Sequence, residues 1–159
     1  MKMNELITSA EVVDIAFSDG NYINAASIAE CDIAAATERW VVPVTGRALI
    51  RAVKAGKYEE LREDYLKPVI ALYTRLLVQP RLNAATSQLG LSVVATSSRR
   101  AADKDARSEL QRSLRSRAQF LRQRLDEYLA EHADELAEYD PEQNILNRCR
   151  CDGGFVQIH

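Results

Sequence analysis

The sequence predicts an all-α fold, a helical bundle with a long C-terminal helix and an extended arm or short β-hairpin between the last two helices. Apolar residues recur at helical spacing along most of the 159 residues. A capping box, Thr8 followed three residues later by Glu11, opens the first helical pattern. Strand-like alternation is confined to Leu89, Leu91 and Val93. We expect one helical domain over residues 1–142 and an irregular tail over residues 143–159.

Start and stop signals divide residues 8–55 into three helices, and a further helix is predicted over residues 58–66. The capping box predicts a helix over residues 9–17. Asn24 is placed to cap a second helix that Pro43 ends, because proline has no backbone N–H to donate. Thr45 is placed to cap a third helix over residues 46–55.

The centre of the chain predicts a buried helix. Residues 68–83 are apolar around much of the helical circumference, which is typical of a helix enclosed by others. Pro80 is expected to kink this helix. Residues 83–98 then lose the helical rhythm, and a loop of this length in a compact domain is usually functional or disordered.

The long helix, predicted over residues 101–138, has its charges sorted by sign. Residues 99–124 contain nine basic and three acidic side chains, whereas residues 126–142 contain eight acidic side chains and no Lys or Arg. A helix dipole favours acidic residues at the start and basic residues at the end, which is the opposite order. Local helix stability therefore does not explain the pattern, and a partner surface would.

Three interpretations of the basic segment remain open: a solvated face with weak ion pairs, a nucleic-acid contact, and a docking surface for an acidic partner. On a helical wheel, Arg112, Arg115 and Arg122 share one flank. Glu127, Glu131, Asp134 and Glu138 lie mostly on the other flank, and Phe120 lies on the polar side. Opposite signs on opposite flanks favour head-to-tail packing of copies, which closes into rings.

Enzymatic chemistry has little support, and we expect no catalytic residue, cofactor or metal. His132 falls within the apolar stripe of the long helix and is expected at the edge of the core. Cys149 and Cys151 with His159 make only half of a usual zinc site. Cys31 is expected to be a small buried residue.

Composition excludes further classes. The net charge of −2 predicts no general affinity for nucleic acid. No apolar run approaches the length of a membrane span, so no membrane association is expected. The N-terminus lacks the pattern of a secretory signal, and three cysteines make no disulfide framework, which favours a reducing compartment.

The order of these elements resembles a known family. The segments that carry the resemblance are Trp40-Val41-Val42-Pro43-Val44-Thr45-Gly46-Arg47-Ala48-Leu49, Tyr65-Leu66-Lys67-Pro68-Val69-Ile70-Ala71-Leu72-Tyr73, Leu89-Gly90-Leu91 and Leu125-Asp126-Glu127-Tyr128-Leu129. Over about residues 5–140 the chain resembles the small helical head–tail connector (adaptor) proteins of tailed bacteriophages and prophages, particularly those of Bacteroides-type hosts.

The resemblance implies a structural role without enzymatic activity. Connectors of this type form a homo-oligomeric ring below the portal protein, bind a tail or stopper protein on the other side, and let DNA pass through the lumen. It implies a protein of the virion neck that is assembled in the host cytoplasm. Residues 86–98 and the arginine flank become candidates for contacts with the ring, the portal or the lumen.

Overall fold

The computed structural model describes residues 6–18, 23–83, 85–87, 90–92, 104–152 and 155–158. These residues are mostly helical, which confirms the all-α class. The helices are α1 (Ser9–Ala16), α2 (Glu30–Ala36), α3 (Val42–Thr45), α4 (Arg47–Lys54), α5 (Lys67–Leu82), α6 (Lys104–Glu131) and α7 (Ile145–Arg148). The strands are β1 (Ala85–Ser87), β2 (Gly90–Ser92), β3 (Cys149–Asp152) and β4 (Phe155–Ile158).

Helix α5 is the centre of the fold. It packs against α1, α2 and α6, and its buried side chains include Ile70, Tyr73 and Arg75. The prediction of an enclosed central helix is therefore confirmed. Arg75 is an exception to the apolar pattern: its guanidinium donates to the carbonyl oxygen of Ala16 and to Gln79 Oε1. It also lies 4.6 Å from the centroid of the Phe17 ring. These contacts compensate the cost of burying a cation.

The first helix begins as predicted. Glu11 N–H donates to Thr8 Oγ1, and Thr8 N–H donates to Glu11 Oε2 at 2.8 Å, so both halves of the capping box are present. Glu11 also accepts from the buried Lys67 at 2.6 Å, and Lys67 donates to Glu63 at 2.7 Å. The predicted cap thus also ties α1 to the start of α5.

Pro43 does not end its helix, contrary to the prediction. The chain passes from α2 through a π-helical segment, Thr37–Val41, into α3. In the π turn the N–H of Val42 donates five residues back, to the carbonyl of Thr37. A second π segment, Leu61–Leu66, precedes Pro68 in the same way, with Lys67 N–H donating to Arg62. Each π turn accommodates a proline whose missing N–H would interrupt an α-helix.

The capping predictions at Asn24 and Thr45 need correction. Asn24 caps only a 3₁₀ turn, Ala25–Ser27, and α2 begins later at Glu30. The Thr45 hydroxyl donates back to the carbonyl of Val41, so it ends α3 rather than capping α4. Gly46 separates the two helices with a φ of 78°, which glycine adopts without a Cβ penalty.

Helix α6 ends at Glu131, seven residues before the predicted end at residue 138. Leu114, Ala118, Leu125 and Leu129 of the predicted stripe are buried. The chain then turns back, because Asn144 Nδ2 lies 2.6 Å from Asp126 Oδ1. A continuous helix would hold these two residues about 27 Å apart. Leu136 and Tyr139 are buried after the reversal, which is the packing that overrides the helical pattern.

Two antiparallel strand pairs complete the described chain. In the first, Thr86 pairs with Leu91, within the segment predicted as an arm or hairpin. In the second, Cys151 pairs with Val156, and α7 precedes this pair. The segment expected to be an irregular tail therefore contains regular structure. Leu89 and Val93 lie outside the described residues.

Candidate interaction surfaces of the long helix

The start of α6 forms a basic groove with the end of α5. Its lining comprises Pro80, Asn83, Lys104, Arg107, Ser108, Gln111, Arg112 and Arg115, and this set is called the basic groove below. Arg112 is held by Glu109 through a 2.8 Å ion pair between exposed side chains. Lys104 and Arg115 are exposed, and the groove lining contains no carboxylate. The groove is therefore complementary to a negatively charged partner.

The three arginines of the predicted flank lie in two different surroundings. Arg112 and Arg115 line the basic groove. Arg122 is half-buried further along α6, close enough to Tyr73 that its charge acts to lower the tyrosine's pKa. Burial is the larger effect, and the pKa of Tyr73 is raised. The Tyr73 ring stacks on Trp40 with centroids 4.6 Å apart, so this region joins the π segment Thr37–Val41, α5 and α6.

The acidic flank is only partly as predicted. Glu127 and Glu131 are exposed on α6, and Glu127 accepts from Gln123 at 3.0 Å. Asp134 is exposed but lies beyond the end of the helix, so its position on a helical wheel was wrong. Glu138 also leaves the helix and binds Lys57 at 2.7 Å and the Tyr58 hydroxyl at 2.6 Å. The hydrogen bonds from Lys57 and Tyr58 lower the pKa of Glu138.

A cluster that sequence reasoning missed lies at the end of α6. Tyr65, Tyr128 and His132 lie in a column: Tyr128 stacks on His132 with centroids 4.1 Å apart, and its ring is tilted by 33° against Tyr65 at 4.2 Å. Burial raises the pKa of Tyr128, and the nearby carboxylates Glu60, Glu135 and Asp64 raise it further. We call these six residues the acidic aromatic patch. Tyr65 and Tyr128 both lie in the segments that carry the family resemblance. They are 63 residues apart, and no local spacing pattern predicts contact over such a distance.

Arg124 contacts the Tyr65 ring of this patch. The guanidinium of Arg124 lies 5.6 Å from the centroid of the Tyr65 ring. His132 is half-buried, and its Nδ1 lies 3.0 Å from the carbonyl oxygen of Tyr128. This position confirms the expectation that His132 is a residue at the edge of the core. The patch thus combines aromatic faces, carboxylates and a guanidinium contact within the molecule.

Phe120 is a large apolar side chain on the outer face of α6. It is 62% exposed, which agrees with its predicted place on the polar side. Such a residue serves as a candidate anchor for a partner. Leu91 lies in β2, and the other two predicted arm residues are outside the described chain.

The cysteines do not follow the predictions uniformly. Cys31 is exposed, so the expectation that it is buried was wrong. Cys149 and Cys151 occupy alternate positions of β3. Within the described residues, no group of three or more His, Cys, Asp or Glu side chains is arranged to hold a metal ion. His159 lies outside that part of the chain. Among the described helices, none combines the length and apolar character needed to cross a membrane.

Comparison with known proteins identifies one family. No curated protein and no solved structure is significantly similar to the chain. Residues 48–148 match the model of a family of unknown function, DUF6712. The matched segment begins within α4 and includes α5, α6, the basic groove and the acidic aromatic patch. Because the match spans more than half of the 159 residues, the chain belongs to the DUF6712 family.

Proposed function

We propose that the protein is a structural subunit of the neck of a tailed phage, where a homo-oligomeric ring joins the portal to a tail or stopper protein and lets DNA pass. The observation that carries the proposal is the charge distribution of α6. Its first half lines a groove without carboxylates, and its last turns carry the exposed Glu127 and Glu131. A rigid rod with opposite charges at its two ends suits a subunit that is held between neighbours.

Residues in the segments that carry the family resemblance make contacts between elements of this fold. Trp40 stacks on Tyr73, and Tyr65 packs against Tyr128. Lys67 joins α1 to α5 through Glu11. In the proposed function, these segments hold the helices of each subunit together.

The strand pair β1–β2 completes the proposal. We assign it as the arm of a connector, which would reach the ring, portal or lumen through Leu89, Leu91 and Val93. In this role the protein acts through its shape and charge, without catalysis, in the virion neck after assembly in the host cytoplasm. The ring would keep nonspecific contacts with DNA in its lumen.

Electron microscopy of the protein mixed with portal complexes from the phage or prophage that encodes it tests the proposal. We expect a ring of added density on one axial face of the portal. A control mixture contains a variant with Phe120→Ser and Arg115→Glu, which alters the exposed surface of α6 and not its buried stripe. Absence of added density with the native chain, together with absence of the protein from purified virions, would refute the function.

One observation favours a second function, nucleic-acid binding. Lys104, Ser108, Gln111, Arg115, Gln119 and Arg122 succeed one another at helical spacings of three or four residues. This row carries hydrogen-bond donors and no carboxylate, which suits contacts with phosphates. Filter binding of duplex DNA at two salt concentrations checks it: a DNA-binding module gives an affinity that falls steeply with salt. An undetectable affinity at low salt excludes it.

A further inference from the structure

The two ends of α6 carry surfaces that match one another, and we propose that the basic groove of one copy binds the acidic aromatic patch of the next. Lys104 and Arg115 are exposed in the groove, and Glu60, Asp64 and Glu135 are exposed in the patch. The pairing rests on the proposed function, because a ring needs one defined contact between subunits. The pairing also specifies which residues make that contact. From the sequence alone, the two charged surfaces were instead expected on opposite flanks of the long helix.

The two surfaces cannot meet within one molecule. Gln111 in the groove and Tyr128 in the patch are both on the continuous helix α6, which holds them about 25 Å apart along its axis. The contact must therefore form between molecules. Because the two surfaces differ, the contact is heterologous, and repeated use of it generates a closed ring or a filament rather than a two-fold dimer.

The chemistry of the patch favours an arginine-bearing partner. Arg124 already lies over Tyr65, so a guanidinium stacks on this aromatic column within the molecule itself. Tyr128 lies between Tyr65 and His132, and Glu60, Asp64 and Glu135 are exposed side chains that act electrostatically on its hydroxyl, so they supply carboxylates with which arginines from a groove would pair. Aromatic residues and arginine are the residue types that dominate binding energy at protein interfaces.

The balance of charge favours a second copy over DNA as the occupant of the groove. The whole chain has a net charge of −2, so the basic groove is a local feature of a slightly acidic protein. A DNA-binding surface alone would leave the acidic aromatic patch without a role. A second copy satisfies both surfaces through one contact.

Complementation between charge-reversed variants tests the pairing by sedimentation velocity at low salt. The groove variant carries Lys104→Glu and Arg115→Glu, and the patch variant carries Glu60→Lys and Asp64→Lys. We expect the native chain to self-associate, and each variant alone to do so roughly a hundred-fold more weakly, since close charge pairs at interfaces contribute several kcal/mol. An equimolar mixture of the two variants restores association, because the reversed surfaces are again opposite in charge.

Controls separate the pairing from folding and from bulk charge. Arg117→Glu and Asp14→Lys make the same types of change at exposed positions outside both surfaces, and we expect native self-association from each. Circular dichroism should show native helix content in every variant, because all the changed side chains are exposed.

Three results would overturn the pairing: a native chain that stays monomeric up to millimolar concentration, single variants that associate as the native chain does, or a mixture that fails to recover. A groove variant that loses duplex DNA affinity but keeps native self-association assigns the groove to nucleic acid, and also overturns it. Portal binding by the native chain without complementation refutes the pairing alone. Complementation without portal binding refutes the connector function and leaves the pairing in place.

Discussion

At the scale of the residue, buried charges hold the N-terminal helix on the core. Arg75 and Lys67 are both buried on α5, and both contact α1 or the residue that follows it. The sequence predicted the capping box and the burial of α5 because both depend on local spacing. It did not predict these two cations, because their partners Ala16 and Glu11 lie 59 and 56 residues away. No local pattern contains such distances.

Replacing Arg75 with alanine should lower the free energy of unfolding by about 3 kcal/mol or more. The change leaves a cavity and removes the donor to the buried carbonyl of Ala16. Urea unfolding at neutral pH measures the loss. Arg51→Ala is the matched control, because Arg51 is exposed and should lose about 0.5 kcal/mol or less. A loss below about 1 kcal/mol for Arg75→Ala would mean that the guanidinium is not needed for packing.

Glu11 should make the free energy of unfolding depend on pH in the acidic range. Burial acts to raise its pKa, but the hydrogen bonds from Lys67 and Thr8 prevail and lower it from 4.5 to about 2. The folded state therefore holds the proton less tightly than the unfolded state, and the stabilisation is complete above pH 4.5 and lost as the pH falls towards about 2. Thermal melts of the native chain and of Glu11→Gln over this range should converge as the pH falls. A constant difference between the two melting curves contradicts the assignment.

At the scale of the element, the sequence predicts where the long helices lie better than it predicts the residue at which they end. The apolar stripe of α6 predicted its buried residues, but Leu136 and Tyr139 continue the apolar pattern after the chain has turned. The reversal depends on Asn144, a buried polar residue whose side chain bonds Asp126, Tyr139 and the N–H of Leu146. Nothing in the spacing of Asn144 indicates these partners. The prediction of the acidic flank was partly wrong for the same reason, because Asp134 lies beyond the end of α6.

Asn144→Ala should loosen the segment that folds back on α6. It removes three hydrogen bonds from a buried site, at a cost of roughly 1–3 kcal/mol for the groups left unpaired. Hydrogen exchange should become faster for amides of residues 136–147 and stay unchanged in the centre of α5. Asn147→Ala is the control, because that side chain makes an exposed bond to the carbonyl of Pro141. Equal protection in the two variants would show that the reversal does not depend on Asn144.

At the scale of the whole molecule, the candidate surfaces were half predicted. The order of charged residues in the sequence predicted a basic and an acidic region. That order can be read without knowledge of the fold. The groove required the end of α5 beside α6, and the patch required Glu60 and Asp64 from a distant segment. Both are products of tertiary packing. The acidic aromatic patch is therefore an acidic surface additional to Glu127 and Glu131, which remain exposed on α6.

Phe120→Ser should separate binding from folding. Its side chain is 62% exposed, so the change should alter the free energy of unfolding by no more than about 0.5 kcal/mol. If Phe120 is an anchor for the portal, the apparent affinity for portal complexes should fall at least roughly ten-fold, as expected for an exposed aromatic at an interface. Titration of labelled protein against portal complexes measures it. Unchanged affinity would remove Phe120 from the interface.

The π segment Leu61–Leu66 changes which side chains of its helix face the core. Leu61 and Leu66 are both fully buried although they are five residues apart, and in a regular α-helix such residues point about 140° away from each other. The π turn between them accommodates one additional residue and brings both side chains to the core. Deleting one residue from 62–65 would therefore rotate the start of this helix by about 100° relative to α5. Glu60 would turn with it, so the length of the π turn sets the direction of an exposed carboxylate.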